Sequence, residues 1–134
     1  MRALLVSALM LFSSQVFAQS EPDFDCSKLD DLPQVGLNFC AYQEFETADE
    51  ALNIAWTKLR DEIQSDEAEI PEFQGWFKTA LNAQRVWLSY RDSQCEAEAF
   101  SFNGGTMQPL IVSGCMKRLT DARVQEINQM MEEN

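Results

Sequence analysis

FQGWFKTALNAQRVWLSYRDSQCEAEAFSF, residues 73–102, holds the longest apolar stripe after the first third of the chain. Phe73, Phe77, Ala80 or Leu81, Gln84, Leu88, Arg91, Cys95, Ala99 and Phe102 recur every three or four residues, with Trp76 and Trp87 at the flanks. That spacing is one face of an α-helix, and its length is beyond any strand. Pro71 suits the first turn of such a helix, and Asn103-Gly104-Gly105 suits its end, where positive φ is needed.

The same period extends outward on both sides. Leu37, Cys40 or Ala41, Phe45, Ala48, Leu52, Trp56, Leu59 and Ile63 predict a long first helix after Pro33, which the polar stretch 64–70 (QSDEAEI) should end. Met116, Leu119, Ala122 or Arg123, Ile127 and Met130 predict a third helix from about Ser113 or Gly114 to Met131. No useful strand alternation appears. The expected fold is all-α, an antiparallel bundle of three long helices with room for a short extra one.

Before the first helix lie two segments of different character. Residues 1–18 carry a basic Arg2, an apolar run from Ala3 to Phe12, and Val16-Phe17-Ala18 at the cleavage positions, the three parts of a secretory signal. The run is about half of the roughly 20 residues that span a bilayer, so export followed by cleavage after Ala18 is expected rather than membrane insertion. Residues 19–34 are acidic and polar with Pro22 and Pro33, and read as an extended arm. Residues 19–134 then form one domain.

Export makes a disulfide framework the natural use of Cys26, Cys40, Cys95 and Cys115, although four cysteines permit three connectivities. Spacing favours Cys26 with Cys40 and Cys95 with Cys115, each closing a local loop worth roughly 3 kcal/mol in the chain-entropy model. Zinc is the competing use, but there is no CxxC pair and no histidine in the chain.

The missing histidine also removes Ser-His-Asp and Cys-His catalysis, and the glycine patterns that hold nucleotide phosphates are absent. With 22 acidic residues, a pair of carboxylates carries no information about glycosidase chemistry. No calcium-loop pattern is present. A binding protein is expected, with no enzyme activity and no cofactor or metal.

Charge says what kind of partner it could take. The chain carries −12, and cleavage after Ala18 would remove one base and leave −13. Residues 19–72 hold 15 acids and three bases, whereas residues 73–134 hold seven and six. Nucleic acid is a poor partner for such a field, and a cationic protein a better one.

Polar residues on the helix stripes need partners, because buried charge is costly when unpaired. Gln84, Arg85 and Arg91 on the second helix, Asp92 and Glu98 beside them, Arg123 on the third, and Asp49 and Asn53 on the first form an expected structural network. Arg91 or Arg123 would bond Asp49, Asp92 or Glu98. A polar ligand pocket around Gln84, Arg91 and Arg123 is the other reading. Residues 99–116 (AFSFNGGTMQPLIVSGCM) contain no charge at all. Within them, the loop of Phe102, Asn103, Gly104, Gly105, Thr106 and Met107 is an expected partner contact, as loops on stiff scaffolds often are.

Several of these residues also stand in a family pattern. Asp49-Glu50-Ala51-Leu52-Asn53-Ile54-Ala55-Trp56-Thr57-Lys58-Leu59, the block AQRVWLSYRDSQC over residues 83–95, Glu98 with Gly104-Gly105-Thr106, and Cys115 with Leu119-Thr120 and Arg123 resemble the LprI-type lysozyme inhibitor domain over about residues 26–130. Trp56 stands where that family often has tyrosine, and Ile127 where leucine is common. The resemblance implies a small helical periplasmic or secreted domain, some of whose relatives inhibit lysozyme. Lysozymes are commonly basic, so an acidic domain that occludes one is the expected function. An envelope-stress or structural interaction module with another partner is the alternative.

Overall fold

The computed structural model describes residues 24–132. The expected signal segment and residues 19–23 of the arm lie outside them. Three long helices carry the fold: α1 (Gln34–Glu69), α2 (Trp76–Glu98) and α3 (Gln108–Glu132). Single 3-10 turns at Leu29–Asp31, Pro71–Phe73 and Ala99–Phe102 punctuate the chain, and no strand occurs among the described residues. The arm is therefore not extended throughout, since Leu29–Asp31 already turns.

α1 is 36 residues long, about 54 Å at 1.5 Å per residue. It runs on through the polar stretch that was expected to end it. Gln, Ser, Asp, Glu and Ala are all compatible with a helix, and losing the apolar stripe only means that this last stretch overhangs the core. Ile70 stops the helix, at φ −119° and ψ 104°. A residue before proline is pushed out of the helical region, so Pro71 ends α1 and opens the 3-10 turn Pro71–Phe73 rather than α2.

α2 correspondingly starts later than the periodicity suggests. Gly75, at φ 95°, resets the chain direction after the Pro71–Phe73 turn. Phe73 is left outside the core, with its ring edge-on to Trp76 at 5.4 Å. At the far end the stripe stops at Ala99, because the 3-10 turn changes the period and leaves Phe102 exposed. α3 begins about five residues before its expected start. Pro109 sits in its first turn, where a missing N–H costs nothing, so Leu110, Ile111 and Val112 are helical rather than loop.

Because α2 returns antiparallel, α1 and α3 run side by side in the same direction. The Asn38 side-chain amide donates to the Thr106 carbonyl at 2.9 Å, tying their starts together. The most extensive helix contact is between these two, and the buried small residues Ala48 and Ala55 fit close approach there. The apolar core lies toward the other end: Leu52, Ala55, Leu59 and Ile63 of α1, Ala80 of α2 and Ile127 of α3 are buried, with Trp56, Trp76, Phe77 and Trp87 packed against them.

That core occupies only part of the bundle, and the two disulfides staple the rest. Both expected pairs are present, Cys26–Cys40 with Cα atoms 5.6 Å apart and Cys95–Cys115 at 5.4 Å. The first holds the N-terminal segment on the opening turns of α1, where Phe24 lies against Gly36 and Phe39. A Cβ at Gly36 would come within 2.9 Å of the Phe24 ring, so this contact requires glycine.

Candidate functional site

Between the apolar core and the disulfides the three helices meet in a polar layer centred on Arg91. Its guanidinium is buried; Nη1–H donates to Asp49 Oδ1 of α1 at 2.9 Å and to the Thr120 hydroxyl of α3 at 3.3 Å. Nε–H donates to the neighbouring Asp92 at 2.9 Å. Two rings pack on it, the centroids of Phe45 at 5.2 Å and Trp87 at 5.4 Å from the guanidinium carbon. Trp87 also carries Arg123, at 5.7 Å. Phe45, Arg91, Trp87 and Arg123 thus link all three helices through alternating aromatic and cationic groups.

Arg123 is held in turn by Gln84, whose side-chain oxygen accepts its Nε–H at 3.0 Å, and by Glu126 at 2.8 Å. Arginine suits this place because its planar fork can serve several acceptors while its faces stack on rings. No buried side-chain nitrogen or oxygen among the described residues lacks a hydrogen-bond partner. A layer satisfied in this way has no buried donor left over for a polar ligand.

The other expected members sit elsewhere. Asn53 is exposed and reaches Asp49 only at 3.4 Å. Arg85 is exposed and stands outside the network. Glu98 bonds neither Arg91 nor Arg123. It lies near the disulfide end, accepts from Arg118 at 2.9 and 3.0 Å, and accepts from Gln94 at 3.0 Å. These contacts, led by the Gln94 amide and then by Arg118, hold its carboxyl below the ordinary value of 4.5. On the neighbouring turn of α3, hydrogen bonding and attraction to Asp121 raise the Lys117 amine.

Two contributors were not visible as such in the sequence. Thr120 is fully buried and joins the Arg91 layer from α3. Glu67, near the end of α1, accepts the backbone N–H groups of Gly75 at 2.7 Å and Phe77 at 3.0 Å, placing a carboxylate at the start of α2. Glu67 also takes the Gln74 side-chain amide on its backbone carbonyl. Partners eight to ten residues away in sequence carry no local capping signature.

At the disulfide end, the expected contact loop is exposed throughout and tightly bonded. Asn103 N–H reaches the Phe100 carbonyl at 3.1 Å, Gly105 N–H the Phe102 carbonyl at 2.9 Å, and Gly104 N–H the Gln108 side chain at 3.0 Å. Gly104 takes φ 76°, and a Cβ on Gly105 would come within 3.1 Å of the Phe102 carbonyl oxygen. Both glycines are therefore built into the turn.

Most of the net charge of the described residues lies on one element. α1 holds nine acidic residues against two basic ones, while α2 and α3 each hold three of either sign. The outward face of α1 presents Glu46 and Glu50 together with the exposed Tyr42 and Ile54. At the bundle's start, Asp25 is kept below its ordinary carboxylate range by Ser27 and then Lys28.

A three-helix fold pinned by two disulfides, with a closed polar layer and an acidic first helix, defines a small stapled helical domain suited to binding a protein through its surface. Among known families, the model of lysozyme inhibitor LprI matches residues 26–127, and the chain belongs to that family. An uncharacterized protein of Rhizobium meliloti (strain 1021) is 36% identical over 131 residues, covering 95% of this chain and 92% of the relative. No solved structure matches the chain. Family and disulfides together point to an exported protein with a lysozyme-like protein partner. Among the described residues, no helix is long and apolar enough to cross a membrane.

Proposed function

We propose that this chain, after removal of residues 1–18, is a periplasmic or secreted inhibitor that blocks basic lysozyme-like muramidases by occlusion. The observation that carries the reading, beyond family membership, is the concentration of charge on α1, nine acids against two bases beside two electrically balanced helices. A one-sided field of this kind steers a cationic partner toward one face and raises its association rate, an effect that salt screens. Occlusion needs a rigid shape rather than reactive groups, and the disulfides and the Arg91 layer supply rigidity.

The test is bacterial wall lysis by a basic lysozyme in the presence of the chain from Gln19 onward. Inhibition at micromolar protein, weakening between low and physiological salt, is the expected result. Undiminished lysis at both salt levels would count against the proposal.

A further inference from the structure

We propose that the 3-10 turn Ala99–Phe102 and the glycine turn after it form the element that enters the muramidase, with Phe100 as its apolar anchor. The inference rests on the inhibitor reading and adds the contact surface to it. Phe100 is 73% exposed, the most exposed large apolar side chain among the described residues, and Phe102 and Met107 are exposed beside it. A bare phenylalanine on a water-facing turn gains nothing from the fold, whereas aromatic anchors of this kind dominate protein interfaces.

The turn is also unusually easy to desolvate. It opens the charge-free stretch 99–116 of a chain in which 24% of residues are charged, so no ion must be stripped of water when it is covered. Carboxylates lie near it: Asp30 and Asp31 just before the start of α1, which Asn38 ties to Thr106, with Asp25 there paired to Lys28 and Glu98 at the base of the turn paired to Arg118. An uncharged tip on a chain of net charge −12 suits contact with a cationic protein, drawn in by the rest of the surface. A membrane is the other surface that takes exposed aromatics, but a chain of net charge −12 is repelled by anionic headgroups.

The tip is also preorganised. The Cys95–Cys115 disulfide closes the base of the segment, and the Asn103, Gly104, Gly105 and Thr106 backbone groups are each bonded in the turn or to α1. Little conformational entropy is then lost when the tip is buried.

The experiment compares the chain from Gln19 onward with its Phe100→Ala and Val86→Ala variants for inhibition of a basic lysozyme. Val86 is the control, 60% exposed on α2 and outside the turn. Thermal melts verify that both variants fold. Loss of roughly 30-fold in inhibition for Phe100→Ala, with less than about twofold for Val86→Ala, is the expected result. Equal inhibition by Phe100→Ala and the parent overturns the assignment and leaves the inhibitor reading standing. A parent that does not inhibit overturns both, and binding of the parent to zwitterionic lipid vesicles that Phe100→Ala abolishes makes the turn a membrane contact instead.

Discussion

Replacing Arg91 with alanine removes bonds from α2 to both α1 and α3, and the cost follows from the surroundings. Two partly desolvated cation–π contacts, to Phe45 and Trp87, are worth about 1 kcal/mol each. The buried Thr120 hydroxyl loses its charged donor, at roughly 1–2 kcal/mol. Asp49 and Asp92 are 39% and 51% exposed, so water takes over both carboxylates and each lost pair costs about 0.5 kcal/mol or less. The sum is about 3–5 kcal/mol, much of a domain's usual total of about 5–15. Thermal or urea unfolding monitored by circular dichroism should show it, with Tm falling by roughly 10–20 °C. Arg91→Lys should lie between, since an ammonium keeps the charge but loses the fork and the stacking. An Arg91→Ala protein within about 1 kcal/mol of the parent would refute the view that this layer holds the bundle together, and loss of ligand binding without loss of stability would reopen the pocket reading.

Three further outcomes follow from individual contacts. Glu67→Ala removes the carboxylate from the start of α2 and should destabilise by about 1–2 kcal/mol, read as a lower urea midpoint. Replacing Cys95 and Cys115 together by serine opens a loop of 20 residues and should cost roughly 3 kcal/mol, measured against the parent under oxidising conditions. Glu98 titrates below its ordinary value of 4.5 in the folded state. The stabilisation it gives is therefore complete above that value and is lost as pH falls through the lower, folded one. Stability curves of the parent and Glu98→Gln should accordingly converge on the acid side of that value, and curves that stay parallel there would remove Glu98 from the acid response.

Much of the fold was legible because burial imposes a period. The stripes of α1 and α2 name most of the buried residues, and the short spacings of the cysteines favoured the pairs that form. The boundaries were less legible because periodicity reports burial rather than helicity. The tail of α1 is helical but overhangs the core, and the first turns of α3 are apolar without belonging to a recognisable stripe. Gly75 was the quiet signal at the start of α2, since a positive φ there separates the Pro71–Phe73 turn from the helix.

The polar layer was half legible. Arg91, Gln84 and Arg123 announced themselves as polar residues on apolar faces, and Asp49 lay within reach on α1. Their partners could not all be ranked, because Arg118 and Glu98 sit 20 residues apart and only the fold brings them together. Phe45 and Trp87 read simply as core, yet both pack on a guanidinium. Phe100 gave no signal, because an exposed phenylalanine beside a buried Ala99 depends on a 3-10 turn that the helical period conceals.

The most direct measurement of the central claim is a binding titration of the chain from Gln19 onward against a basic lysozyme at low and physiological salt. A one-to-one complex whose association rate falls as salt rises is the expected result. The absence of any complex at micromolar concentrations, at both salt levels, would contradict it.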